Sequence, residues 1–119
     1  MSDKWQALNT FWNQFTIPAY DENTVPKDAV FPYITYEASV SGFDNQVALT
    51  ASIWYRSTSW QGVSQKAAEI EGAIGGGASV AYTGGRLWVT KENPFAQRMS
   101  DPSDDMIRRI VLQVKAEYH

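Results

Sequence analysis

Two runs of alternating apolar and polar residues locate the core of this chain. In Phe31-Pro32-Tyr33-Ile34-Thr35-Tyr36-Glu37-Ala38-Ser39-Val40, the residues Ile34, Tyr36, Ala38 and Val40 share one phase, and Thr35, Glu37 and Ser39 share the other. A period of two half-buries a strand. Gln46 to Arg56 repeats the pattern with Val47, Leu49, Ala51, Ile53 and Tyr55. The intervening Ser41-Gly42-Phe43-Asp44-Asn45 is built from residues that tolerate turn geometry, so the two runs predict an antiparallel hairpin.

Elsewhere the spacing changes. Trp5, Leu8, Phe11, Trp12 and Phe15 recur every three or four residues between a Ser2 or Asp3 cap and Pro18, which predicts an amphipathic helix over residues 3 to 16. Ala19 to Val30 is polar, contains Pro26 and has no period, so it reads as a long loop. A second helix follows Ser57-Thr58-Ser59, with Trp60, Val63, Ala67, Ile70 and Ile74 on one face and Gly75-Gly76-Gly77 ending it. Ala78 to Tyr82 and Arg86 to Lys91, joined by Thr83-Gly84-Gly85, predict a second hairpin. Glu92 to Asp105, with two prolines and three aspartates, reads as a second irregular loop. Met106 to Glu117 alternates again and closes the chain with a strand inside the sheet. The expected fold is α+β in the order α-β-β-α-β-β-β: a mainly antiparallel sheet of about five strands, with two helices on one face, in a single domain over residues 1–119.

Composition narrows the function. With 119 residues, 44% hydrophobic content and five Trp, six Tyr and five Phe, the chain can fill one core. A net charge of -3 argues against a nucleic-acid surface, which needs clustered Lys and Arg. Zero cysteines exclude disulfides, thiolate metal sites and Cys nucleophiles. The start, Met1-Ser2-Asp3-Lys4-Trp5, has no basic stretch leading into an apolar one, and no run nears about 18 apolar residues, so neither a signal peptide nor a membrane span is expected.

Catalytic chemistry lacks its parts. The single histidine, His119, is terminal, where fraying works against a held geometry. Ser57, Thr58 and Ser59 have no base beside them, and Glu69 and Glu71 point to different helix faces. Asp101, Asp104 and Asp105 lack the alternating ligands and closing Glu of a calcium loop. Gly75-Gly76-Gly77 ends a helix where a phosphate loop would begin one. No cofactor, metal or catalytic residue is expected. What the core does not absorb is aromatic surface: Trp54 and Trp88 lie in the phase opposite the core and, with Val111, face away from the helices. Tryptophans exposed on a sheet face fit an interface, unless the 19–30 loop folds over them.

In size, order of elements and the absence of catalytic chemistry, the chain resembles the tail terminator, or tail completion, proteins of long-tailed bacteriophages. The resemblance runs from the N-terminal helix through Phe31-Pro32-Tyr33-Ile34-Thr35-Tyr36 and the helix after Ser57-Thr58-Ser59-Trp60 to Gly84-Gly85-Arg86-Leu87-Trp88-Val89. It implies a structural virion protein made in the host cytoplasm. Such a protein forms a ring, usually a hexamer, that caps the head-proximal end of the tail tube and ends its polymerisation. Its partners would be itself, the tail tube protein and a head completion or connector protein, with no membrane, and DNA only as cargo passing through the lumen. The family shares no catalytic residues. The interface candidates Trp54, Trp88, Phe95, Arg98, Asp101, Asp104 and Asp105 come from sheet phase and loop position. Two alternatives stand beside it: another head-tail connector or tail tube component, and a cytosolic binding module using the aromatic sheet face.

Overall fold

The computed structural model of the chain describes residues 3–38 and 46–119, so the expected Ser41–Asn45 turn, the ends of the runs at Ser39 and Val40, and Ser2 lie outside the described residues. The first helix, α1, spans Lys4–Trp12. Asp3 starts it with a reciprocal cap: its carboxylate accepts from Gln6 N at 2.9 Å, and its own N–H donates to the Gln6 side chain at 3.0 Å. Ala7, Leu8, Phe11 and Trp12 form the buried stripe, whereas Trp5 in the first turn stays 52% exposed. A 3-10 turn over Asn13–Phe15 extends the helix and ends at Thr16 in the left-handed region, φ 68°.

Among the described residues six strands form one sheet in place of the expected five. They are β1 (Ala19–Asp21), β2 (Tyr33–Tyr36), β3 (Gln46–Arg56), β4 (Ala78–Tyr82), β5 (Gly85–Met99) and β6 (Ile107–Tyr118), and they lie in the order β1-β2-β3-β6-β5-β4. β3 and β6 pair along their full lengths, and the two predicted hairpins, β2–β3 and β4–β5, are both antiparallel. β1 is the extra strand. It runs parallel to β2, where Pro18 C=O accepts from Ile34 N at 2.8 Å and Tyr36 C=O from Glu22 N at 2.9 Å. Three residues are too few to show an alternation, so its strand character comes from the free edge of β2.

The second correction concerns Glu92 to Met99, which is strand although the sequence reads as loop. β6 is long enough to template it. Between the pairs Lys91↔Val114 and Ala96↔Leu112, residues 92–95 of β5 face Gln113 alone, an irregular bulge of four residues against one that takes Pro94 out of the ladder it cannot donate to. The irregular stretch is therefore short, from Ser100 to Met106.

The second helix, α2 (Gln61–Ile74), packs on β3, β5 and β6, while α1 touches both edge strands, β1 and β4. Ser59 Oγ accepts from Gln61 N at 3.0 Å at the start of α2, and Gly75 at φ 52° stops it. Between the helices and the sheet lie Ile34, Leu49, Ile53, Ile70, Leu87, Leu112 and Val89, each at most 2% exposed. Lys66 reaches from α2 into this layer, where its ammonium donates to Phe15 O at 2.8 Å, Thr16 Oγ1 at 3.1 Å and Glu69 Oε1 at 2.9 Å. At the β4–β5 turn, a Cβ added to Gly85 would lie 1.6 Å from His119 O, so only glycine lets the last residue pair with Arg86.

Truncating Ile53→Ala should cost about 2–5 kcal/mol in urea unfolding, because its site is sealed on both sides; a neutral result would move Ile53 out of the core. Gly85→Ala should lose about 1–3 kcal/mol through a forced backbone shift. Gly72→Ala, on exposed helix with nothing within 4 Å of the new methyl, should gain roughly 0.5–1 kcal/mol in the same assay.

Candidate functional site

The seven candidate residues fall into four places. Trp54 lies on the sheet face opposite the helices, in an aromatic row that the β1–β2–β3 register assembles. Tyr33 pairs with Trp54, and their rings stack at 6.3 Å and 22°. Tyr20 and Phe31 sit 6.0 and 5.3 Å from Tyr33. Trp54 Nε1 donates to Thr35 Oγ1 at 2.8 Å, and the Arg109 guanidinium covers the ring at 4.5 Å while its Nε donates to Ser52 Oγ at 3.1 Å. Burial, and then the neighbouring Tyr20, push the Tyr33 hydroxyl above its ordinary pKa, so it stays neutral. Trp54 is thus half-buried, stacked on Tyr33 and with one cation over its face. Sequence phase finds Trp54, but Tyr20, Phe31 and Arg109 join it only through the register.

Trp88 shares that sheet face without sharing the patch. It pairs with Ser79 and Glu117, is 41% exposed and borders Gly77, whose added Cβ would lie 3.7 Å from the ring. Arg109 and Glu117, the β6 residues nearest the two tryptophans, are eight positions apart, roughly 26 Å along a strand. Glu117 sits between Lys115 and His119, 3.3 Å from each, and its hydrogen bond from Lys115 chiefly holds its carboxyl below the usual range.

Phe95 and Arg98 lie on β5 facing α2, not on a loop. They line an open groove of about 440 Å³ between the helix and the bulge, floored by Ala67, Phe95 and Ile110. Arg98 and Arg108 both lie over the Trp60 ring, at 5.0 and 5.4 Å. Arg108 also donates to Asp105 O at 2.6 Å and Thr58 O at 3.3 Å, whereas Arg98, among the described residues, reaches only Ser64 Oγ, at 3.4 Å. At the far end Glu71 meets Lys91 at 3.7 Å.

The aspartates hold the β5–β6 turn together. Asp101 Oδ1 accepts from Ser103 N and Oγ at 2.8 and 2.6 Å, and Asp104 accepts from Met106 N at 2.9 Å and from Arg56 at 3.0 Å. These contacts lower both carboxyl pKa values, Ser103 being the first cause for Asp101 and the Met106 N–H for Asp104. Among the described residues no three His, Cys, Asp or Glu side chains converge as a metal site, and no helix is long and apolar enough to cross a membrane.

A group with a lowered pKa adds stability above its unfolded value and loses it as pH falls through the folded one. Acidification below about pH 4 should therefore loosen the 100–106 turn first, seen as faster exchange of the Met106 amide; Asp104→Asn should remove that acid step. Trp54→Ala should cost about 2 kcal/mol in unfolding, and Trp88→Ala well under 1, because only Trp54 is tied by a hydrogen bond, a stacked ring and a cation.

No family model matches the chain, and no curated protein matches it. Among solved structures its fold is similar to a chain of the "Virion of native gene transfer agent (GTA) particle". The TM-score is 0.63 at 18% sequence identity, over 98% of this chain and 85% of that one, a likeness of fold.

Proposed function

We propose that this chain is a structural protein of a phage-like virion, one that assembles as a ring on the head-proximal end of the tail tube, ends its polymerisation and offers a surface to head completion proteins. The observation that carries the reading is the fold likeness to a chain of a gene transfer agent virion, which spans nearly the whole domain. The order of elements read from the sequence points the same way. The role is one of assembly without catalysis. A closed ring needs two different patches on each subunit, meeting head to tail, and the molecule offers distinct surfaces at the Trp54 row, at Trp88 and at the groove beside α2. A net charge of -3 suits a lumen through which DNA slides without sticking.

Light scattering over a wide concentration range, with electron microscopy of the same samples, tests this reading. The expected species is a closed ring near six chains, which added to tube protein halts tube growth. Open-ended filaments of the chain alone would instead mark a tube subunit, and a dimer indifferent to tube protein would overturn the virion role.

A further inference from the structure

The groove between α2 and β5 is built for a short segment with an apolar residue and an acid. Its floor is Ala67, Phe95 and Ile110, and its volume of about 440 Å³ falls in the range of occupied sites. At one end stands Arg98, whose guanidinium rests on Trp60 and, among the described residues, has no carboxylate within ion-pair distance. Ser64 and Glu71, seven residues apart on α2, set a length of about 10 Å.

The chain itself displays a segment of that description. A turn closed by the Ala29 N–H on Pro26 C=O at 3.1 Å projects Lys27 and Asp28, both exposed, and Val30 follows at 76% exposure. Val30 exceeds the other exposed large apolar residues, Trp5, Trp88 and Met99, in exposure. The turn belongs to the β1–β2 connection and the groove to β5, which lie in opposite halves of the sheet. The two surfaces are therefore different patches, as a head-to-tail contact requires.

We propose that the groove receives the Asp28–Val30 segment of a second copy of this chain, Val30 seated on Ala67 and Phe95 and Asp28 paired with Arg98. Glu71, at the other end of the groove, is already paired with Lys91 and takes no part. The contact rests on the ring reading above and names the surfaces that close the ring.

Light scattering of Val30→Asp, Asp28→Arg and Arg98→Glu tests the contact, with melting curves to confirm folding. Each should raise the concentration needed for assembly by about tenfold or more, and the pair Asp28→Arg with Arg98→Glu should restore it. Val30 and Asp28 are exposed loop residues, so their variants keep the test valid even if Arg98→Glu disturbs Trp60. Because the chain has no cysteine, Val30→Cys and Ala68→Cys molecules, mixed and oxidised, should form a 30–68 disulfide between copies. Oligomers that survive Val30→Asp and Asp28→Arg, without the disulfide, overturn this contact and leave the ring standing. A wild-type chain that stays monomeric, together with Val30→Cys and Ala68→Cys molecules that form no disulfide, overturns both.

Discussion

The sheet bends until both of its edge strands, β1 and β4, meet α1, and the stripe Ala7, Leu8, Phe11 and Trp12 fills the space between them. Everything else is positioned by that closure. Phe11 and Trp12 meet edge to face at 4.8 Å, and Trp12 stacks on Tyr36 of β2 at 6.4 Å, so the helix is fixed in rotation as well as in place. Asn13, just past the helix, completes the edge. Its carboxamide accepts from Ala19 N at 3.0 Å and donates to Ala19 O at 3.2 Å, the two bonds a neighbouring strand would make. Lys66 then ties α2 to the same corner with two hydrogen bonds, and a third to Glu69 of its own helix completes the set by which a nearly buried ammonium is tolerated.

Closing one edge this way leaves less backbone open to pairing. An exposed edge strand invites another chain to pair with it, and here Asn13 occupies β1 while Pro94 and its bulge interrupt the free length of β5. Beyond these edges the molecule presents side-chain surfaces. Such surfaces differ in character: the Trp54 row is knit internally by stacking and a hydrogen bond, and Trp88 stands alone at the other end of the sheet. The groove beside α2 pairs an apolar floor with Arg98.

The turn between β5 and β6 shows how a charged loop can be structural. Three aspartates and several arginines meet there, yet Asp101 closes on Ser103, Asp104 on Arg56 and Met106, and Arg108 on backbone carbonyls. Exposed ion pairs of this kind add little stability. Just before the turn, Arg98 stays paired with Ile110 in the ladder while its guanidinium lies over Trp60.

Much of the fold was legible in the sequence because short-range periodicity reports burial directly. The period-two runs gave β3 from Gln46 to Arg56 and placed Ile53, Leu49 and the β6 residues Ile110, Leu112 and Val114 on the core face. The spacing of three and four gave both helices, with Asp3 and Gly75 at their limits. What the sequence could not hold is anything set by a partner distant in the chain. β1 is a strand because β2 offers an edge, and residues 92–99 are a strand because β6 continues alongside them despite Pro94. The candidate surfaces divide in the same way: Trp54 and Trp88 were found by phase, but register alone put Tyr33 and Arg109 on Trp54, and kept Trp88 at the opposite end of the sheet. Phase is written in neighbouring residues, whereas register, bulges and edges exist only once strands far apart in sequence have met.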